Sequence, residues 1–154
     1  PLCDWSSDVC SSDLIQHEYA KKEIDAGRLS DIAGIIGLYI NDCINDKMTT
    51  EQMLYYSENC FGTADAISLR YRHLKIYDLK TGVTPGSVHQ LEVYAALFCL
   101  EYDFDPFKLE IELRIYQDNE VQVYDADPED VRFIMWQMHR ARHDCEGQDT
   151  HAYR

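Results

Sequence analysis

At 154 residues, with 45% apolar and 12% aromatic content, the chain has room for one domain with a real core and too little for a second. No apolar run approaches the ~18 to 20 residues of a membrane-spanning helix, so the expectation is a soluble, cytoplasmic domain. A formal charge of −14 argues against a surface that attracts nucleic acid everywhere, although a local basic rim around an acidic, cation-holding centre is compatible with it.

The opening stretch, Pro1-Leu-Cys-Asp-Trp-Ser-Ser-Asp-Val-Cys-Ser-Ser-Asp-Leu14, closely resembles the translation of a common sequencing-library adapter. It is set aside from fold reasoning as a disordered artefact, as a tag would be. The domain is then expected over 15–145, without its natural start, with a loose tail over 146–154. Removing Asp4, Asp8 and Asp13 changes the charge from −14 to −11. The cysteines left, Cys43, Cys60, Cys99 and Cys145, form no CxxC pair and read as reduced thiols rather than a disulfide framework or zinc site.

Residues 15–26 read as a helix, and Asp31 offers a cap for a second whose Ile32, Ile35, Ile36, Tyr39, Ile40 and Cys43 share a 3.6-period face. Leu54-Tyr55-Tyr56, Ile67 with Leu69, and Leu74-Lys75-Ile76-Tyr77 predict three short strands in a meander. Gly82, Pro85 and Gly86 break the chain, and Ser87 opens a helix striped by Val88, Leu91, Ala95, Phe98 and Tyr102. Residues 107–117 alternate Leu109, Ile111, Leu113 and Ile115 against Glu110, Glu112 and Arg114; with Val121 and Val123 after Asp118-Asn119, this predicts a half-buried hairpin. Asp127-Pro128 caps a last helix carrying Val131, Ile134, Met135 and Met138, loose beyond Arg142. The order is that of an α+β fold, a central mixed sheet flanked by helices.

Asp78 and Lys80 are two apart on the third strand, so they project from one face behind Leu74 and Ile76. A charged pair at the end of an apolar strand is costly to bury unless it is paired or holds a metal; a strand-end salt bridge before a Gly turn is the plainer reading. Asp65, on the preceding strand, can be brought beside Asp78 by a hairpin near Arg70 to His73. Two convergent carboxylates suit a hard cation such as Mg²⁺. Gln90 and Tyr94 share a helix face near them, although Ser87-x-x-Gln90 also fits a capping box.

Taken in order, His17, Gly62-Thr63-Ala64-Asp65, Asp78-Leu79-Lys80-Thr81-Gly82 and Gln90-x-x-x-Tyr94 resemble the motif set of the RecB-like branch of PD-(D/E)XK nucleases, over roughly residues 15–125. The resemblance implies a restriction-endonuclease-like core and hydrolysis of DNA phosphodiester bonds with Mg²⁺ or Mn²⁺. It also implies an exonuclease role in phage or bacterial recombination or repair. Asp65, Asp78 and the Leu79 carbonyl would bind the metal, with His17 as a further ligand. Lys80 would position the attacking water, and Gln90 and Tyr94 would reach the site or the DNA. Relatives with iron–sulfur clusters carry grouped cysteines, which Cys145 alone does not supply, so no cluster is expected. Arg70, Arg72, His73 and Lys75, and Arg140, Arg142 and His143 on the last helix, could guide phosphate. Glu51 or Glu58 could add acidity. Competing readings are a catalytically inactive nucleic-acid-binding or assembly module and an acidic protein-interaction domain.

Overall fold

A computed structural model of the chain describes residues 11–149. Helices α1 (Ser11–Ala26) and α2 (Ile35–Asn45) lead into strands β1 (Thr49–Ser57), β2 (Cys60–Arg70) and β3 (His73–Leu79). Helix α3 (Val88–Tyr102) and a 3-10 turn (Pro106–Lys108) connect to β4 (Glu110–Gln117), followed by β5 (Glu120–Asp125) and α4 (Pro128–Asp149). The strands form one five-stranded sheet in chain order, antiparallel except for the β3–β4 pair, which is parallel. This is the α+β architecture expected, a mixed sheet with helices on both faces.

Turn chemistry closes the hairpins. Asp118 and Asn119, the two residue types that best tolerate the left-handed region, both have positive φ (51° and 61°) between the paired Gln117 and Glu120. That geometry matches the right-handed twist of the strands it joins. A parallel β3–β4 pair instead needs a long crossover, which α3 supplies, so the carboxyl end of β3 faces the start of α3.

Strand alternation divides the apolar residues between two layers. Leu74, Ile76, Ile111, Leu113 and Ile115 pack with Leu91, Ala95, Phe98, Val131 and Met138 of α3 and α4. Tyr77, Leu79 and Tyr116 point the other way, into a smaller cluster with Ala20, Ile24, Tyr39, Ile40 and Cys43 of α1 and α2. Above the second layer a polar net fixes α2 to the sheet: Tyr116 donates to Asp42 (2.7 Å), Lys75 and Tyr77 to Asp46, and the Arg114 guanidinium lies over the Tyr77 ring. Strand β4 alternates buried Ile111, Leu113 and Ile115 with partly buried Glu112 and Arg114, as expected of a half-buried strand, while β5 is mostly exposed.

Element boundaries differ from expectation at three places. Asp31 caps nothing: α2 starts at Ile35 behind Gly34 (φ 102°), without a side-chain cap. The preceding loop is held by Asn41, which accepts from Ser30 N at 2.7 Å and donates to Ser30 O at 3.0 Å. That loop also runs so close to Gly37 that a Cβ there would sit 2.0 Å from Ile32 O. Helix α1 begins at Ser11, inside the adapter-like stretch, whose residues 1–10 lie outside those described. Helix α4 continues to Asp149, through the segment expected to be loose after Arg142; 150–154 also lie outside the described residues. An Arg142–Glu146 pair at i,i+4 spacing supports that extension (3.0 Å).

Candidate functional site

The β2–β3 ladder ends at the Ala66–Tyr77 pair, one residue before Asp65 and Asp78 come opposite each other. Beyond that point β3 is held from its other side alone. Asp78 and Leu79 remain paired with Ile115 and Tyr116 of β4, and Lys80 N donates to Tyr116 O at 2.9 Å. Asp65 takes the place of the missing ladder, its Oδ2 accepting from Leu79 N at 3.0 Å. The sheet is thus parted at the carboxyl end of β3, where the crossover to α3 begins, and a carboxylate lines the gap. Such ends are where open α/β sheets present ligand sites.

On the α3 side of the gap, Asp78 is 5% exposed. Its Oδ2 lies 3.2 Å from Lys80 Nζ, which also donates to Gln90 Oε1 at 3.4 Å. Gln90 Nε2 in turn donates to Tyr94 Oη at 3.0 Å. Ser87 makes no side-chain cap at α3, so of the two readings of Gln90 it is the contact with Lys80 that the fold uses. The Tyr94 ring lies against Gly62, where an added Cβ would stand 2.7 Å from Tyr94 Cε1. This explains the glycine of the Gly-x-x-Asp motif: only a bare backbone lets α3 approach β2 closely enough to seat Tyr94 there. Gly86 likewise lets its loop pass close to Ile115, whose Cγ2 would be 2.7 Å from a Cβ at that position, with Lys80 Cγ at 3.2 Å.

From the opposite face, α1 delivers His17. Its Nδ1 donates to Asp13 O and its Nε2 to Leu79 O, both at 2.7 Å, and Nε2 lies 3.6 Å from Asp65 Oδ2. Both ring nitrogens therefore donate, which requires the imidazolium. The Asp65 carboxylate beside it, against the cost of burial, raises the His17 pKa to about 9. Burial works against the Asp65 anion as well, but the adjacent His17 holds its carboxyl below the ordinary carboxylate range. Asp78 is displaced the other way: burial and the neighbouring Asp65 push its carboxyl well above the usual range, against the pull of Lys80. The negative charge of Asp65 thus favours the neutral form of Asp78.

All the motif residues, His17, Asp65, Asp78, Leu79, Lys80, Gln90 and Tyr94, therefore meet at one place. The contacts run as a chain from His17 to Asp65 to Asp78, and among the described residues no three His, Cys, Asp or Glu side chains form a ready-made metal cage. The donors that do converge, two carboxylates, a backbone carbonyl and an imidazole, are of the kind a hard cation takes. A cation held there would relieve the repulsion by which Asp65 raises the Asp78 carboxyl.

Other expected contributors lie elsewhere. Arg70 and His73 pair at the far end of the β2–β3 hairpin, about 17 Å from Asp78 at ~3.3 Å per residue. His73 pairs with Glu110 and Lys75 with Asp46, so these cations do not flank the site. Arg142 is bound to Glu146 and Arg140 lies over Trp136, both on α4. Between Glu51 and Glu58 the fold chooses: Glu58 sits in the exposed β1–β2 turn, while Glu51 stands opposite Asp65 with a left-handed φ of 48°. With Lys21, Tyr39 and Thr50, it lines a small recess ending on His17 and Asp65. Lys21, Tyr39 and Thr50 carry no motif and became visible only when α1, α2 and β1 were packed together. Asp13 too was missed: besides His17 it receives Thr81 Oγ1 at 2.7 Å.

No protein-family model, no curated protein and no solved structure matches the chain. Among the described residues no helix is long and apolar enough to cross a membrane.

Proposed function

We propose that the chain is a Mg²⁺- or Mn²⁺-dependent deoxyribonuclease of the PD-(D/E)XK type, hydrolysing phosphodiester bonds, most naturally as an exonuclease in phage or bacterial recombination or repair. The observation that supports this reading is the meeting of Asp65, Asp78 and Lys80 at the parted end of β3, from motifs separated by a strand turn and read independently in the sequence.

Asp65, Asp78 and the Leu79 carbonyl would hold the cation, with His17 beside them. When bound, the metal supplies Lewis-acid polarisation of the phosphate and a more acidic water. The chain's own residues do the rest. Lys80 is a fixed positive charge, 23% exposed at its side chain, aimed where the phosphate gains negative charge in the transition state. Gln90 holds that ammonium from α3, and Tyr94 holds Gln90, so the charge is positioned before substrate arrives. The Leu79 side chain is 1% exposed and anchors the backbone whose carbonyl meets His17 Nε2.

The second reading, an inactive nucleic-acid-binding or assembly module, has one observation in its favour: Lys75, Arg114 and Arg142 are all engaged by carboxylates rather than presented to a phosphate track. Cleavage of linear DNA with Mg²⁺ or Mn²⁺ separates the two. Activity in the intact chain, lost with chelator and lowered about 10² to 10³-fold in Asp78→Ala and Lys80→Ala, supports the nuclease. DNA binding without cleavage supports the module, and equal cleavage by all three proteins removes the mechanism.

A further inference from the structure

We propose that His139 and His143 on α4 form a second, chemically different metal site, which takes a divalent transition metal of the Zn²⁺ or Cu²⁺ class. The two histidines are at i,i+4 on one helix face. Their Nε2 atoms face each other 3.1 Å apart, with ring centroids 4.4 Å apart and planes at 78°. One ion at the ordinary Zn–N distance of about 2.0 to 2.1 Å from each nitrogen spans that gap at close to a right angle. Modest rotations of the two rings bring both lone pairs onto the ion.

His139 Nδ1 is hydrogen-bonded to Tyr56 Oη of β1 at 2.9 Å, the kind of outer support that fixes ring orientation and tautomer in imidazole metal sites. His143 Nδ1 faces the Glu146 carboxylate at 3.9 Å. Tyr56 is itself fixed, since the Arg142 guanidinium lies over its ring at 5.0 Å while Arg142 Nε holds Glu146 Oε1 at 3.0 Å. In the metal-free chain one Nε2–H donates to the other Nε2. On binding, that proton moves to the same ring's Nδ1, facing Tyr56 or Glu146, and both Nε2 lone pairs turn to the ion. No proton is gained or lost. Both histidines are exposed, so water completes the coordination shell.

Imidazole pairs select Zn²⁺, Cu²⁺ and Ni²⁺ over Mg²⁺, whereas the Asp65–Asp78 site offers mainly oxygen donors with one imidazole, His17; millimolar Mg²⁺ and the His17→Gln variant let the two be titrated apart. Zn²⁺ binding to the intact chain is measured by calorimetry in millimolar Mg²⁺, for the wild type and for His139→Gln, His143→Gln, Tyr56→Phe and His17→Gln. The expected result is one Zn²⁺ per chain, with affinity down at least about 10-fold in each of the first three variants and unchanged in His17→Gln. Far-UV circular dichroism checks that α4 is intact in each. Absence of Zn²⁺ binding, binding by the His139 and His143 variants as tight as the wild type's, or loss confined to His17→Gln overturns the proposal. None of these outcomes depends on whether the chain cleaves DNA.

Discussion

The Asp65 carboxylate accepts a hydrogen bond from Leu79 N at 3.0 Å, in the place where the β2 backbone would otherwise continue the ladder. A side chain thus substitutes for a strand, and the substitution opens the sheet. It frees the Leu79 carbonyl to meet His17 Nε2 at 2.7 Å, while β4 keeps β3 rigid from behind. Positioning of the candidate site therefore depends on strand pairing that stops at a defined residue, more than on a flexible loop.

The His17 imidazolium makes the metal-free fold sensitive to alkali. Its pKa is raised from 6.5 to about 9, chiefly by the adjacent Asp65 carboxylate. A raised base contributes stability that is complete below its unfolded value and is lost as pH climbs through the folded one. In chelator, the urea midpoint is expected to fall between pH 6.5 and 9, by at most about 3 kcal/mol of stability. His17→Gln should flatten that slope. A wild-type slope equal to that of the variant would show that Asp65 and His17 do not form this pair.

Asp78 predicts a trade between stability and activity. Its carboxyl is buried beside Asp65 with its pKa raised, so ionising it near neutrality opposes folding. Stability from this group falls as pH rises from the ordinary carboxylate range toward the raised value, the same sign as for His17 but beginning at lower pH. Asp78→Asn removes the ionisation while keeping the shape and a donor toward Asp65. It should raise metal-free stability at pH 7 by about 1 kcal/mol and abolish cleavage. Mg²⁺ at about 100 times its Kd should add ~2.7 kcal/mol to the wild type and nothing to the variant, as read from thermal unfolding.

Gln90 separates positioning from binding. Truncated to alanine, it leaves Lys80 with its Asp78 partner at 3.2 Å but without the second tether at 3.4 Å. The expected consequence is a fall in kcat of about tenfold, ~1.4 kcal/mol of transition-state stabilisation, with KM unchanged. A change in KM alone would assign Gln90 to contact with DNA instead.

Legibility in the sequence followed the range of the interactions concerned. The Ile111, Leu113 and Ile115 alternation and the Asp118-Asn119 turn are local signals, and β4, β5 and their hairpin follow them directly. The motif residues were also legible, because the spacing of Asp78 from Lys80 and of Gln90 from Tyr94 already fixes a shared face. What spacing could not give was decided between elements. The Val88 to Tyr102 stripe understated α3, which also buries Val93, Tyr94, Ala96, Leu97 and Cys99 because the sheet and α4 enclose it. Asp31 matched a cap by type, but the Ser30–Asn41 bonds and the Ile32–Gly37 approach move the helix start past it. Arg70, Arg72 and His73 lie near Asp78 in sequence yet sit at the turn end of the β2–β3 hairpin, since extended chain carries neighbours apart at ~3.3 Å per residue.

Gly62 offers the sharpest test that α3 and β2 are set at the distance the site needs. A Cβ there would come to 2.7 Å from Tyr94 Cε1 and 3.4 Å from Cδ1, on a ring that is 5% exposed and packed beside Leu97. The ring cannot swing into solvent, so Gly62→Ala must push α3 outward or turn Tyr94 from Gln90, at a cost of about 1 to 3 kcal/mol for overpacking. The loss should appear in both urea stability and cleavage. Adding Tyr94→Leu removes the clash and should recover most of the stability. It leaves Gln90 without the 3.0 Å bond that steadies it, so cleavage should stay low. Recovery of cleavage together with stability would mean that Tyr94 serves only to fill space between helix and sheet.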